Sequence, residues 1–282
     1  MYGKIMACIE DRVVPRLLLL AVLLCACGFS WGADGTAPRV EPLVTILVYH
    51  RFSDTADDSM TVRISTFESQ LRVLRENGYH IVALRAVVDW LRDSDATLPD
   101  KPVAITVDDG HCSVFDKLLP VMLREQFPVT LFIYPSAISN AAYALTWEQL
   151  RTLKQTGLVE IQSHTYWHPN FNIERRRLTP ADFRQFVHLQ LDKSRRRIES
   201  QTGDTVDMLA WPFGLYDDEL IALAEDEGYI AAFSLEAKKA DRHTRLLALP
   251  RYLIIDAYGA NTFARLLGEP DTRPLPAAGS TR

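Results

Sequence analysis

Two stretches of this sequence place proton-transferring and metal-binding side chains directly after apolar runs. In residues 105–112 (ITVDDGHC), the adjacent carboxylates of Asp108 and Asp109 end a run that is typical of a buried strand. Neighbouring side chains on a strand point to opposite faces, so the two carboxylates meet different surroundings. A polar turn with Asp109 and Gly110 as its turn residues would account for the same residues. This stretch alone therefore leaves two interpretations open, a functional pair of carboxylates and an ordinary polar turn.

The second stretch, residues 162–169 (QSHTYWHP), offers two histidines four positions apart, His164 and His168, after another strand candidate. If these residues form one helical turn, positions i and i+4 share a face and both imidazoles converge. One carboxylate plus two histidines is a common hydrolytic metal set that leaves a coordination position open for water or substrate. Together with the Asp-Asp-Gly motif, the pair predicts a metal site.

Short apolar runs alternate with amphipathic stretches from residue 43 to residue 267, which predicts an α/β fold with a parallel sheet. Seven or eight strand–helix units in this length favour a barrel, in which the chemistry lies where strands end. Strands are predicted at 44–49, 80–84, 102–107, 129–134, 159–163, 206–211, 230–234 and within 246–255. Helices are predicted at 65–77 with a capping box at Ser65 and Glu68, and at 86–92, 113–126, 146–157, 179–202, 217–227 and 261–267.

The first 32 residues are typical of a cleavable export signal. Basic Arg12 and Arg16 precede an apolar run of eleven residues, 17–27, which is too short to span a bilayer as a helix of about 20 residues. Cleavage near residue 32 predicts export to the periplasm or the cell surface. The alternative is a lipoprotein signal that leaves a lipidated Cys27. We expect a linker at 33–42, one domain at 43–268 and a disordered tail at 269–282.

Composition narrows the classes of partner. The 282 residues carry a formal charge of −5, and no basic excess indicates a nucleic acid partner. Cys112 is the one cysteine that follows the export signal, so no intrachain disulfide is expected.

Three motifs, in their order along the chain, resemble those of the polysaccharide deacetylases of carbohydrate esterase family 4, the NodB-homology domain. They are residues 106–110 (TVDDG), 163–168 (SHTYWH) and 211–214 (WPFG). Within that family the sequence most resembles the poly-β-1,6-N-acetylglucosamine deacetylases of the PgaB/IcaB group. That narrower resemblance rests on residues 46–50 (ILVYH), 66–71 (TFESQL), 77–79 (NGY) and 249–251 (LPR). The resemblance implies a distorted (β/α)7–8 barrel.

The resemblance also implies roles for individual residues. Asp109, His164 and His168 correspond to the ligands of a divalent metal, zinc by default, with nickel, cobalt or iron able to serve. Asp108 corresponds to the base that takes a proton from the attacking water. The backbone N–H of Phe213 corresponds to a donor for the oxyanion.

Two departures from the family pattern require substitutes. The common arginine before the proline of the third motif is replaced by Ala210-Trp211, and we predict that Arg251 holds the base instead. A Leu-x-His motif near the C-terminus is missing, but His50 ends the first strand in a similar setting. The PgaB/IcaB group resembles a circular permutation of the common order, and on that basis His50 is predicted to be the general acid. The alternative is a histidine that merely hydrogen-bonds a neighbouring loop.

The predicted function is metal-dependent hydrolytic N-deacetylation of N-acetylglucosamine units in an extracytoplasmic polysaccharide, with poly-β-1,6-N-acetylglucosamine of a biofilm matrix as the first choice. Peptidoglycan or chitooligosaccharide deacetylation and non-catalytic glycan binding are the alternatives, and polysaccharide export machinery is a candidate partner. His111 could line the cleft. Sugar stacking and core packing account equally well for four aromatic residues: Tyr166, Trp167, Trp211 and Tyr216.

Overall fold

Strands and helices alternate along the chain, as the sequence predicts. The structure, a computed structural model, describes residues 42–56 and 58–269. The strands are β1 (Thr45–Tyr49), β2 (Arg51–Ser53), β3 (Thr61–Arg63), β4 (His80–Ile81), β5 (Pro102–Asp109), β6 (Val129–Ile133), β7 (Val159–Ser163), β8 (Met208–Ala210), β9 (Ala231–Phe233) and β10 (Tyr252–Leu253). The helices are α1 (Ile64–Glu76), α2 (Leu84–Arg92), α3 (Leu119–Glu125), α4 (Trp147–Gln155), α5 (Phe171–Arg177), α6 (Pro180–Thr202), α7 (Asp218–Asp226) and α8 (Ala260–Leu267).

The main sheet is parallel throughout and curls into a half-barrel surrounded by helices. Its order is β10-β1-β5-β6-β7-β8-β9, and β4 pairs with the beginning of β5. β2 and β3 form a separate two-stranded sheet. The predicted barrel of the (β/α) type is therefore confirmed, and the adjacency of β1 and β10 makes the first and last strands of the main sheet neighbours.

One extended segment, residues 249–254, links the two ends of the curled sheet. At its start, Leu249 donates its N–H to Ala232 of β9 and accepts from Ser234, both at 2.8 Å. At its end, Ile254 donates to Val48 of β1 at 2.9 Å. The segment thus bridges the sheet edges that β9 and β1 present, with Arg251 between the two attachment points.

Alternate residues of each buried strand enter two different apolar clusters. In β5, Val103, Ile105 and Val107 pack in the large cluster beneath the surrounding helices, whereas Ala104 packs in a smaller cluster with Phe132 and Phe233. Both faces of the strand are therefore covered, as expected for a parallel sheet. The smaller cluster occupies the concave side, and the alternation places Asp108 on that inner side.

Several local predictions differ from the structure. The capping box at Ser65 is wrong: α1 begins at Ile64, and Arg63 at its N-cap makes no side-chain capping bond. A contact distant in sequence fixes this end instead, because Arg63 donates both its N–H and its Nε–H to Asp256. The helix predicted at 113–126 is present over nearly those bounds, but its first part, Val114–Leu118, is a π-helical turn that leads into α3. Residues 206–211 and 246–255 contain only short strands, and β2, β3 and α5 were not predicted.

Other boundaries agree with the prediction. Thr146 forms a capping box with Gln149 at the start of α4, and the Thr179 side chain accepts from Asp182 at the start of α6. The predicted signal segment at 1–32, the linker except Pro42, and the tail from residue 270 lie outside the described residues. Among the residues that the structure describes, no helix is long and apolar enough to cross a membrane.

Candidate metal centre

Asp109, His164 and His168 converge at the carboxyl ends of neighbouring strands. Asp109 ends β5, and the two histidines follow β7, two strands along the sheet. One potential ligand atom from each residue lies within 4.8 Å of the others, and His164 Nε2 is 3.7 Å from Asp109 Oδ1. The structure therefore brings the three predicted ligands together.

Asp109 reaches this group through a left-handed backbone conformation. Strand alternation alone would turn its side chain to the same face as Val107, under the helices. Its φ is 73°, however, and Gly110 follows with a φ of 71°. A side chain at Gly110 would lie only 3.0 Å from Ile133, which gives this glycine a packing reason as well. The kink ends the strand and separates the surroundings of Asp109 from those of Asp108.

The two histidines do not lie on a helical turn, so that part of the prediction is wrong. Residues 164–168 form a bent loop in which Thr165 and His168 both have positive φ, 65° and 60°. The loop is held by its own hydroxyls, because Thr165 N–H donates to Ser163 Oγ and His168 N–H donates to Thr165 Oγ1. The imidazole rings still meet, with centroids 4.5 Å apart, so convergence arises from the loop's turns rather than helical spacing.

The chemistry of the donor set fits a divalent transition metal. His164 Nδ1 lies 2.8 Å from the Ala210 carbonyl, so Nδ1 carries the proton and Nε2 presents a lone pair. Burial, and secondarily His164, lowers the pKa of His168 to about 4, which keeps its imidazole neutral near pH 7. Two ligands about 2.1 Å from a tetrahedral ion are about 3.4 Å apart, close to the separation of His164 from Asp109. Two neutral imidazoles and a carboxylate are a set that zinc accepts.

Asp108 forms a buried, bidentate ion pair with Arg251. The two guanidinium nitrogens donate to the two carboxylate oxygens, each at 2.8 Å. Arg251 is 0% exposed and Asp108 is 2% exposed. Burial by itself raises the pKa of Asp108, but the charge of Arg251, with His164 and the hydrogen bonds, brings it below its usual value. The contact predicted for Arg251 is present, and Asp108 is kept as a carboxylate.

Arg251 is itself fixed by its neighbours. Its Nε donates to the Ser234 carbonyl, and one terminal nitrogen also donates to Thr106 Oγ1. Its guanidinium lies near the rings of Phe132 and Phe233, at 5.4 and 5.9 Å. Arg251, which was predicted to replace the missing arginine of the third motif, is therefore hydrogen-bonded through all three of its side-chain nitrogens.

His50 faces the same cavity from the end of β1. Its Nδ1 is buried and has no hydrogen-bond partner among the described residues. The alternative of a histidine that merely bonds a loop is therefore not supported at Nδ1. Burial lowers the pKa of His50, while the carboxylates of Asp108 and Asp109 act in the opposite direction. The imidazole thus lies beside both carboxylates with one nitrogen uncommitted.

The metal-ligand candidates, Asp108 and His50 all line one cavity of about 220 Å³. Its wall comprises His50, Met60, Asp108, Asp109, His164, His168, Trp211, Phe213, Leu235 and Leu253. Met60, Leu235 and Leu253 were not predicted, because single apolar residues in separate segments of the chain form no motif. Phe213 has a φ of 58°, and its half-exposed ring packs on His168 with centroids 4.6 Å apart. It therefore stands at the cavity mouth, where its backbone was predicted to act.

The aromatic residues predicted to stack on sugars do not form one platform. Trp211 borders the cavity but is fully buried and donates its indole N–H to the Leu247 carbonyl, so it offers no exposed face on which a sugar could stack. Tyr166 lies under Lys193, and half-exposed Trp167 packs on Phe186. Tyr216 bonds Glu236 and lines a different pocket. Among the described residues, Phe213 supplies the exposed ring of the cavity instead.

Comparison with known proteins finds similarity to polysaccharide deacetylases. Residues 95–232 match the family described as polysaccharide deacetylase. The poly-β-1,6-N-acetyl-D-glucosamine N-deacetylase of Escherichia coli (strain K12) is 26% identical over 77% of this chain, and that of Staphylococcus aureus (strain MRSA252) is 22% identical over 74%. The match spans 37% of the E. coli protein and 73% of the S. aureus protein. The fold resembles that of the Streptococcus pyogenes deacetylase PplD, solved with acetate, with a TM-score of 0.71 and 21% identity over 82% of this chain and all of that one.

The ion pair makes a prediction about stability. Arg251→Met should lower the free energy of unfolding by about 3–5 kcal/mol in metal-free protein, because it leaves a buried carboxylate without its partner. Adding Asp108→Asn to that variant should restore part of the lost free energy of unfolding, since the unpaired charge is removed. Urea unfolding of wild type, both single variants and the double variant measures the coupling. Strictly additive losses would show that the pair is not energetically linked.

Proposed function

Because residues 95–232 match the polysaccharide deacetylase family, we propose that this chain hydrolyses the N-acetyl groups of N-acetylglucosamine units in a polysaccharide. The observation that carries the proposal is the arrangement in one cavity. Three metal-ligating side chains, a buried carboxylate held by an arginine and an uncommitted histidine all line it. Amide hydrolysis needs this combination of an electrophilic centre, a base and an acid.

Asp109, His164 and His168 would hold the divalent cation of this site, and we propose zinc, with nickel, cobalt or iron as substitutes. When bound, such an ion polarises a carbonyl oxygen and acidifies water. The protein contributes the fixed tautomer of His164, whose Nδ1–H is held by Ala210. It also contributes a cavity wall of Trp211, Leu235 and Leu253 that limits access of bulk water.

We propose that Asp108 and His50, which line the same cavity, carry out the proton transfers. Asp108, ionised beside Arg251, accepts a proton from the water that adds to the acetyl carbonyl carbon. His50 donates a proton to the amine nitrogen as the carbon–nitrogen bond breaks and acetate leaves. The Phe213 N–H is the proposed donor to the oxygen that becomes negative, an interaction of the kind that contributes roughly 3–4 kcal/mol.

We propose poly-β-1,6-N-acetylglucosamine as the polymer. The support is that relatives from two organisms bear that substrate in their names, and that the sequence resembles their group in residues 46–50 and 249–251. A role in biofilm matrix belongs to the same proposal.

Asp108→Asn provides the principal test. The variant should retain the metal, because the three ligands are intact, and lose at least about a hundredfold in turnover, because the base is gone. Acetate release from defined β-1,6 and β-1,4 N-acetylglucosamine oligomers measures turnover, and elemental analysis measures metal content. Asp116→Asn, at an exposed aspartate of the π-helical turn, is the matched control and should behave as wild type.

The oligomers also decide between the alternatives. Preference for β-1,4 oligomers would replace the proposed polymer by a chitin-like or peptidoglycan-type substrate. Metal binding without acetate release from any oligomer by the wild type would indicate a glycan-binding protein without catalysis, and would reject the proposed function.

His50→Gln tests the general acid separately. Removing the proton donor should lower kcat by about 10²–10⁴-fold while metal content stays unchanged. His243→Gln, at an exposed histidine outside the cavity, is the control. A His50 variant with wild-type turnover would assign protonation of the amine to another group.

We also propose that the protein is exported to the periplasm or cell surface. The support is the basic and apolar pattern of residues 1–32. N-terminal analysis of the protein recovered from cell envelopes should give a new terminus near residue 33, or a lipid-modified Cys27. An unprocessed N-terminus in the cytosolic fraction would contradict export.

A further inference from the structure

A second cavity of about 320 Å³ adjoins the candidate metal centre. It is lined by Arg51, Asp109, His111, Tyr134 and Tyr143. Asp109 lines both cavities, so the second opens directly beside the group that would hold the cation. Of these residues, only Asp109 and His111 were considered from the sequence, and the proposed reaction does not use His111.

The backbone holds two of these side chains in fixed positions. The loop after β5 and the loop after β6 are joined by hydrogen bonds: Cys112 donates to the Tyr143 carbonyl at 2.7 Å, and Leu145 donates to the Gly110 carbonyl at 2.9 Å. The His111 and Tyr143 rings consequently lie nearly parallel, with an interplanar angle of 14° and centroids 6.2 Å apart. A preorganised wall of this kind binds a ligand at a lower entropic cost than mobile loops do.

The hydrogen bonds of His111 determine which atom it can offer to a ligand. Ser113 donates its backbone N–H to His111 Nδ1 at 3.1 Å, and Ser113 Oγ also lies 2.9 Å from that nitrogen. Ser113 Oγ in turn accepts from the Phe52 N–H. Since Nδ1 accepts, the neutral ring carries its proton on Nε2, which has no partner among the described residues.

The chemistry of the lining indicates an uncharged polyhydroxylated ligand. Tyr143 is 45% exposed, so its ring offers an aromatic surface, and its hydroxyl shares a 2.8 Å hydrogen bond with Tyr134. Arg51 is the one permanently charged cation among the residues that line the cavity, and its charge is balanced by Asp58 at 2.9 Å, so the lining does not favour an anion. An aromatic face surrounded by a few hydrogen-bonding groups suits a sugar ring with its hydroxyls and acetamide.

We propose that Arg51, His111 and Tyr143 form a subsite for the sugar unit next to the one whose acetamide lies at the metal centre. This inference rests on the proposed function and extends it, because it makes the enzyme dependent on chain length. Tyr143 supplies the stacking surface, and His111 and Arg51 supply donors to ring hydroxyls or the neighbouring acetamide oxygen.

Binding measured without turnover tests the subsite. In the Asp108→Asn background, β-1,6-linked N-acetylglucosamine tetramer should bind at least about tenfold more tightly than the monomer by isothermal titration calorimetry. Tyr143→Ala and His111→Asn should each remove most of that gain. The asparagine oxygen can still accept the Ser113 N–H, so the loop keeps one of its bonds. Leu123→Ala, which truncates a half-exposed side chain on α3 outside the cavity, is the matched control and should keep the gain.

Kinetics with the otherwise wild-type chain provide a second measurement. For Tyr143→Ala, KM for the tetramer should rise about tenfold with a smaller change in kcat. The ratio of kcat/KM for the tetramer to that for a small aryl acetate should fall accordingly. Thermal unfolding of each variant verifies that the fold is retained.

The outcomes separate this inference from the proposed function. If the tighter binding of the tetramer relative to the monomer disappears in Tyr143→Ala, the subsite is supported even when the wild type releases no acetate. The absence of acetate release would reject only the proposed function. Equal affinity for monomer and tetramer, or a gain that survives both substitutions, overturns the subsite even if acetate is released. Equal losses on tetramer and aryl acetate would also overturn it, because they would assign the residues to the metal centre itself.

Discussion

The buried ion pair between Asp108 and Arg251 is the constraint on which the rest of the site depends. A carboxylate that is 2% exposed is stable only with a well-placed partner, and the guanidinium provides two parallel hydrogen bonds of 2.8 Å. The partner must itself be satisfied, and the Ser234 carbonyl and Thr106 hydroxyl meet that need. The half-barrel therefore contains a polar network within its apolar interior, and this network joins β5 to Arg251 and to Ser234, which follows β9.

The division of roles that we propose for the two aspartates follows from a single change in the backbone. β5 keeps its alternation as far as Asp108, which continues the inner series of Ala104 and Thr106 towards Arg251. At Asp109 the φ becomes positive, and the carboxylate turns to the rim beside His164. Two adjacent like charges are thus separated by geometry: one is neutralised by an arginine in the interior, and the other belongs to the ligand group. The same rim position makes Asp109 the residue that the two cavities share.

The sequence predicted the parts of this structure that depend on local patterns. Strand and helix alternation, the starts of the helices near Thr146 and Thr179, and the convergence of Asp109, His164 and His168 all follow from periodicity or motifs. The path by which the histidines converge was not predictable, because it depends on two positive φ values that hydroxyl bonds within the loop stabilise. Likewise, burial of Trp211 and the pairing of His111 with Tyr143 depend on contacts between distant segments, and no local pattern encodes them.

The segment at 249–254 has a consequence for how the chain reaches its native state. The two members of the ion pair are separated by 143 positions, and the arginine is on the last strand segment of the main sheet. Until residues 249–254 have docked, Asp108 has no partner and cannot enter an apolar interior without a large energetic penalty. We therefore expect the inner side of the sheet to stay hydrated until that segment is in place. Its desolvation is then a late, long-range event in folding, and chains that have not completed it remain exposed to proteases.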